Sequence, residues 1–194
     1  MNRLANTAIL HLAVGLAVLL LEPITPRAAG CDQALTEPYL KLQSLSDPVV
    51  ADCGTWRVQI ETDRRDWFKG LSLEFVDSSG ALPDVGFSIA CSIALDRDGR
   101  LMSKTFAGRS RCPEALDQNP LMLRAFSIEL VGADATSLSV TYDCLVVSIP
   151  AKDWYPLSGS DGSWCGDPDP DRLVGNGEGA AIVSVGVVIG LKGK

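Results

Sequence analysis

The alternation of side chains over residues 85–95 constrains the fold more than any other feature of the sequence. Its odd-numbered positions are all bulky and apolar, and its even-numbered positions are all glycine, serine or alanine. A repeat of two residues is the period of a β-strand, so one face should enter a core while the opposite, thin face carries only small side chains. Asp98-Gly99 then supplies a turn, because glycine accepts a positive φ without penalty. The pattern predicts a β-hairpin with Cys91 directed inward.

Shorter segments with strand-like patterns occur along most of the remaining chain. They cover residues 39–42, 56–62, 71–75, 100–106, 126–130, 138–149 and 181–191. In the second of them, Trp56, Val58 and Ile60 are expected to face inward. Strands separated by turn signals predict an all-β fold, an antiparallel β-sandwich of seven or eight strands, with a barrel as the alternative. At most one or two short helical turns are expected, one of them beginning at Pro113.

The first thirty residues have the composition of a secretory signal peptide. Arg3 precedes an apolar run over residues 8–21, and Ala28-Ala29-Gly30 resembles a cleavage site. The run is shorter than the roughly 20 residues that span a bilayer, so no membrane span is expected. We therefore predict a signal peptide at 1–30, a secreted single disulfide-linked domain at 31–194, and within it an irregular loop at 151–179.

All six cysteines lie after the predicted cleavage site, which favours three disulfides. They are Cys31, Cys53, Cys91, Cys112, Cys144 and Cys165. Their similar spacings favour pairing of sequence neighbours, although fifteen connectivities are possible in principle for six cysteines. An alternative role for Cys31 is lipidation at the new N-terminus, because Gly30 precedes it.

The charge and the histidine content exclude several classes of function. The formal net charge is −7, and it becomes −8 if a leader containing Arg3, Arg27 and Glu22 is removed. An acidic domain repels phosphate backbones, so nucleic acid is a poor partner and a basic protein a better one. The single histidine, His11, lies in the leader. Neither a Ser-His-Asp triad nor a histidine-ligated zinc site is therefore expected in the mature chain, and no cofactor is predicted.

One acidic segment has the spacing of a calcium-binding loop. Asp167, Asp169, Asp171 and Glu178 occupy positions one, three, five and twelve of an EF-hand pattern. Arg172 stands where that loop needs glycine, and two prolines separate the carboxylates. The segment therefore predicts either a calcium site or an extended acidic linker.

Aromatic side chains are concentrated in two polar segments, residues 62–70 and 151–165. The predicted partner-binding residues are Trp67, Phe68, Trp154, Tyr155 and Trp164. Aromatic residues in loops serve as anchors for protein partners or as stacking platforms for sugars, although they can also cap a core. We expect them to form one shared surface.

Residues 71–149 resemble the secreted immune-evasion β-sandwich family of poxviruses, which includes chemokine- and cytokine-binding decoys. The resemblance consists of a strand ending at Cys91, the Asp98-Gly99 turn, a helical turn at 113–117, and strands at 126–130 and 138–144. It implies a soluble acidic protein that sequesters a basic signalling protein.

These features predict a secreted, non-enzymatic binding protein that presents loop aromatics and an acidic surface to a protein partner. Two alternatives remain open. A carbohydrate-binding module would use the tryptophans for stacking, and a glycosidase would use a pair of carboxylates.

Overall fold

A computed structural model describes residues 38–46, 49–62, 67–77, 84–97, 100–115, 120–148, 153–168 and 180–192. The predicted signal peptide at 1–30 and Cys31 lie outside this described part. Twelve strands and one short 3-10 turn, Ala133–Ser137, occur within it. The strands are β1 (Tyr39–Ser44), β2 (Ala51–Gly54), β3 (Arg57–Glu61), β4 (Leu71–Val76), β5 (Gly86–Arg97), β6 (Arg100–Arg109), β7 (Arg111–Cys112), β8 (Pro120–Val131), β9 (Leu138–Ser148), β10 (Trp154–Ser160), β11 (Cys165–Gly166) and β12 (Ala180–Leu191).

The strands form three four-stranded antiparallel sheets. Sheet A has the order β2-β1-β4-β7, sheet B the order β10-β9-β12-β3, and sheet C the order β11-β8-β5-β6. The predicted hairpin of β5 and β6 lies at one edge of sheet C. The all-β, disulfide-linked sandwich predicted from the sequence is confirmed.

The number of strands is larger than the predicted seven or eight. Each of the eight segments predicted from the sequence contains a strand. The four additional strands are β2, β7, β10 and β11. Two of these contain only two residues, and none of the four has a run of alternating apolar side chains, so periodicity gives no signal for them.

One hydrophobic core joins the three sheets. It takes the inward side chains of β1 and β4 from sheet A, of β3, β9 and β12 from sheet B, and of β5 and β8 from sheet C. At its centre the rings of Phe126 and Tyr142 are 5.3 Å apart between centroids. Burial of these side chains is the main driving force that holds the sheets together.

Two disulfides connect sheet C to the other two sheets. Cys91 on β5 bonds to Cys112 on β7 of sheet A, and Cys144 on β9 of sheet B bonds to Cys165 on β11. Both pairs agree with the predicted pairing of sequence neighbours. Cys53 is also disulfide-bonded. The predicted direction of Cys91 into the core is confirmed, since it is buried, and Cys144 is buried as well.

Strand β5 differs from its prediction because its thin face is also buried over part of its length. Ser92 and Ala94 are fully buried. The Ser92 and Ser103 hydroxyls lie 2.9 Å apart, and the buried guanidinium of Arg124 donates to Ser103. Ala94 belongs to a second, smaller hydrophobic cluster with Met122, described below.

Two local predictions concern the direction of Trp56 and the helical turn that begins at Pro113. Trp56 does not face the core as predicted but lies in the turn before β3 with 49% of its surface exposed. Residues 113–115, the start of the predicted helical turn, form a bend, and residues 116–119 lie outside the described part.

Candidate functional site

Much of the predicted irregular loop at 151–179 is instead an ordered edge of sheet B. Strand β10 pairs with β9 in continuous antiparallel register from Trp154 opposite Val147 to Ser160 opposite Thr141. A turn at Asp161 and Gly162 follows, and then the short strand β11. The loop prediction was wrong here because main-chain pairing with β9 fixes this segment, whatever its side-chain pattern.

Strand β10 exposes three large apolar side chains within four residues. Trp154, Tyr155 and Leu157 are 38%, 48% and 42% exposed, and we call these three residues the β10 patch. Scattered single apolar residues are normal on a protein surface, whereas several exposed apolar side chains along one edge strand favour an interaction site. The predicted residues Trp154 and Tyr155 thus lie on the surface, and Leu157 joins them although the sequence analysis did not identify it.

The β10 patch extends over both faces of the sheet edge. Trp154 lies across from Val147 on the outer face of sheet B. Tyr155 and Leu157 lie across from Val146 and Cys144, which face inward. Tyr155 and Leu157 are exposed, whereas Val146 and Cys144 on β9 are buried. The inward-facing side chains of β10 are therefore not covered by the core that covers those of β9. A partner could therefore contact the patch from either side of this edge.

Gly159 and the following turn anchor the far end of β10. A Cβ atom at Gly159 would clash with the ring of Tyr142, so the backbone of β10 packs directly on that ring. The Tyr142 hydroxyl donates to the carbonyl oxygen of Ser163. These contacts, together with the disulfide at Cys165, hold the edge strand in place.

The free edge of β10 is unsuited to the addition of another strand. Ser148 donates to the carbonyl oxygen of Asp153, and Asp161 donates to that of Val140, so the odd-numbered residues of β10 bond to β9. Pro156 therefore faces away from β9, where it offers no N–H. Recognition through side chains is thus more plausible physically than recognition through main-chain pairing.

The adjacent predicted residues Trp67 and Phe68 lie in different surroundings. Trp67 packs against the second hydrophobic cluster, to which Val147, the cross-strand neighbour of Trp154, belongs. Phe68 is different, because it is fully buried in the main core. Its prediction as a partner-binding residue was wrong. The carbonyl oxygen of Phe68 accepts the Leu123 N–H of β8, so this segment is held against the sandwich rather than projecting as a loop.

Trp164 lies at the opposite end of β10 from Trp154. The six residue steps of β10 correspond to roughly 20 Å at the usual rise of a strand. Trp164 is partly exposed between Ser163 and the disulfide-bonded Cys165. The structure therefore places Trp154 and Tyr155 at one end of β10 and Trp164 at the other.

A shallow groove crosses the outer face of sheet B beside the patch. Its volume is about 380 Å³, and its lining includes Arg57 and Gln59 on β3, Gly186 on β12, Asp143 on β9 and Ser158 on β10. Gly186 lies between Gln59 and Asp143 in the sheet. The glycine leaves the groove open, since a Cβ added there would have its nearest contact 4.0 Å away, at Gln59. A glycine inside a strand often marks close approach of a ligand.

Exposed carboxylates surround the β10 patch. Asp153 directly precedes β10, Asp143 lies across from Ser158, and Asp161 follows the strand. The Tyr155 hydroxyl donates to Asp153 at 3.4 Å, and Asp161 accepts the Val140 N–H at 3.1 Å. An apolar patch with acidic neighbours is electrostatically suited to a partner that carries positive charge.

The predicted calcium ligands fall almost entirely outside the described part. Asp167 is partly buried after β11, whereas Asp169, Asp171 and Glu178 are not described. Among the described residues, no group of three or more potential ligands could hold a metal ion. The calcium site stays a prediction.

Comparisons with known proteins give no relative for this chain. No family model matches, and neither the curated proteins nor the solved structures contain a match. The resemblance to the poxvirus family therefore stays a prediction. In the described residues, no helix is long and apolar enough to cross a membrane.

Proposed function

We propose that this chain is a secreted, non-enzymatic binding protein that contacts a basic protein partner through the β10 patch. The observation that carries the proposal is the exposure of Trp154, Tyr155 and Leu157 together on one edge strand. Tryptophan and tyrosine are the side chains most enriched among the residues that dominate binding energy at protein interfaces. The structural disulfides agree with an oxidising, extracellular environment.

The proposed polarity of the partner follows from the acidic surroundings of the patch. Asp143, Asp153 and Asp161 are exposed on β9, β10 and their flanks. Such charges accelerate association with a positively charged surface and repel an acidic one. Because exposed charges are screened over a Debye length of about 8 Å at physiological ionic strength, capture should weaken as salt is added.

Capture from conditioned medium tests this proposal when wild-type protein is compared with two tryptophan variants. Trp154→Ala should reduce capture of the partner at least about thirtyfold, which corresponds to about 2 kcal/mol for an anchor residue. Trp56→Ala is the matched control. Trp56 is also about half exposed but lies beside β3, at the other edge of sheet B. Three strand spacings, or roughly 14 Å, separate β3 from β10.

The proposal fails if Trp154→Ala and Trp56→Ala capture the same proteins as the wild type in equal amounts. It also fails in its electrostatic part if the captured proteins are acidic. Both variants should unfold at the wild-type urea concentration within error, because neither side chain belongs to the core.

A carbohydrate-binding module is the second candidate, and the groove on sheet B favours it. Arg57, Gln59, Asp143 and Ser158 would offer hydrogen bonds to hydroxyl groups near the Trp154 ring. Gly186→Val would fill the groove floor without altering Trp154 or Tyr155, which do not line the groove, whereas Leu157 of the β10 patch does line it. Loss of retention on a polysaccharide in Gly186→Val, with protein capture intact, would identify the groove as a sugar site. Loss of protein capture in the same variant would place the protein partner in the groove.

A further inference from the structure

A second pocket, on sheet A, has the opposite charge from the protein as a whole. It lies where β1 turns toward β2 and has a volume of about 310 Å³. Its polar lining consists of Gln43, Ser44, Ser46, Lys69, Ser72 and Arg111. The volume is at the lower end of the range of small-ligand sites, roughly 300–1,000 Å³.

Within the described part of the chain, the two cations of this pocket have no carboxylate partner. No carboxylate occurs among its described lining residues, and neither Lys69 nor Arg111 forms an ion pair in the described part of the chain. Glu74, two residues after Ser72 on β4, pairs with Lys41 at 3.3 Å. Lys69 and Arg111 thus share one concavity that has no carboxylate among its described lining residues, in a chain with 24 acidic and 17 basic residues.

The backbone that carries both cations is held by packing and by a disulfide. Arg111 on β7 is adjacent to Cys112, which is bonded to Cys91 on β5. Lys69 precedes Gly70, whose carbonyl oxygen accepts the Leu45 N–H at 2.9 Å. A Cβ at Gly70 would clash with the carbonyl oxygen of Cys112, so the two cation-bearing segments are in close contact. A site fixed in this way loses little entropy when it binds.

Neutral donors complete the pocket. Gln43, Ser72 and Arg111 lie side by side on β1, β4 and β7, and side chains in such a cross-strand row share one face. The Ser44 and Ser46 hydroxyls are buried, lie 2.8 Å apart, and Ser44 accepts the Val50 N–H at 2.8 Å. They form a fixed polar wall beneath the cations.

We propose that this pocket binds a tetrahedral oxyanion, sulfate or phosphate, either free or as a monoester. Arginine presents a planar pair of N–H groups that matches two oxygens of such an anion, and lysine adds a point charge. The Ser72 hydroxyl and the Gln43 amide can donate to the remaining oxygens. The net negative charge of the chain does not prevent this, because charges farther than about 8–10 Å away are largely screened at physiological salt.

Isothermal titration of the full chain tests the proposal with four probes: sodium sulfate, sodium phosphate, O-phosphoserine and glucose 6-sulfate. Ionic strength is held constant with chloride, since sulfate and phosphate also stabilise proteins non-specifically. Arg111→Gln and Lys69→Gln should each weaken binding at least about tenfold, because each removes a charge-assisted hydrogen bond. Arg109→Gln is the matched control, as Arg109 is exposed nearby on β6 but does not line the pocket.

Arg111→Lys should weaken binding by a smaller factor, since the charge remains while the two-pronged geometry is lost. Tighter binding of a monoester than of the free ions would identify the esterified group as the ligand, and equal binding would identify the free ion. The absence of saturable binding with all four probes overturns the proposal. So does binding that survives in the Lys69→Gln Arg111→Gln double variant. Trp154→Ala should bind the probes like the wild type, so this result is independent of the proposed partner surface.

Discussion

Strands β10 and β12 pair with opposite edges of β9, yet their side chains have contrasting surroundings. β12 buries Ile182, Val185, Val187 and Ile189 in the main core. β10 has equally regular pairing but leaves its β10 patch exposed.

The contrast separates two contributions to a β-sheet. β10 is held mainly by main-chain pairing with β9 and by the contacts at Gly159 and Cys165, whereas β12 also adds the burial of apolar side chains to the stability of the sandwich. The apolar side chains of β10 are consequently available to a partner. An edge strand can thus present a binding surface on a rigid support, which reduces the entropy lost on association.

Truncation of one apolar side chain in each strand should give the largest difference between them. Ile182→Ala removes a fully buried side chain and should lower the free energy of unfolding by about 2–5 kcal/mol. Leu157→Ala should change it by less than about 0.5 kcal/mol, because Leu157 lies at the surface. Urea unfolding of both variants measures the effect, and equal losses would contradict the proposed difference between the strands.

Removal of either disulfide should have the next largest effect. Both join cysteines 21 residues apart, so the loop-closure argument predicts a similar loss of about 3 kcal/mol for Cys91→Ala Cys112→Ala and for Cys144→Ala Cys165→Ala. The second pair encloses β10 in its loop. If pairing with β9 holds β10, the Leu157 amide should stay protected from hydrogen exchange relative to the global unfolding of that variant. Selective loss of its protection would show that the disulfide holds the strand instead.

Substitution of one glycine in each strand should reverse the contrast, with smaller changes in the free energy of unfolding. Gly159→Ala, in the exposed strand, should destabilise the protein by about 1–3 kcal/mol, since the new Cβ meets the Tyr142 ring. Gly186→Ala, in the buried strand, should be neutral or stabilising by up to about 1 kcal/mol, because its Cβ enters open space. Thermal unfolding of the two variants measures this difference in stability. A larger loss in Gly186→Ala would mean that the groove is not open.

The sequence predicted the strands that bury side chains in the core, together with β6 as the hairpin partner of β5, and it missed four strands that have no run of alternating apolar side chains. The alternation in β5 and the dense Val/Ile run in β12 both report core contacts, which are encoded in the residues themselves. Strand β10 contains Pro156 and Gly159, and its conformation depends on β9, a tertiary contact that no local pattern encodes.

The candidate site was predictable only in part for the same reason. Trp154 and Tyr155 were identified because aromatic residues stand out in a polar segment. Leu157 was not, and Phe68 was wrongly assigned to the surface, because its burial depends on tertiary packing in the main core that no local pattern encodes. The pocket proposed to bind an oxyanion combines Lys69 and Arg111, which are distant in sequence and are brought together where Gly70 packs on Cys112.

Pro156 has a consequence for how the molecule behaves at high concentration. An open sheet edge with aromatic side chains is a template on which identical chains can stack into fibrils. Pro156 lacks the donor that such stacking would use at the middle of this edge, and Ser160 directs its N–H to the Ser163 hydroxyl at 2.6 Å. These two features therefore disfavour the addition of further copies of the chain to this edge, although its apolar side chains stay exposed.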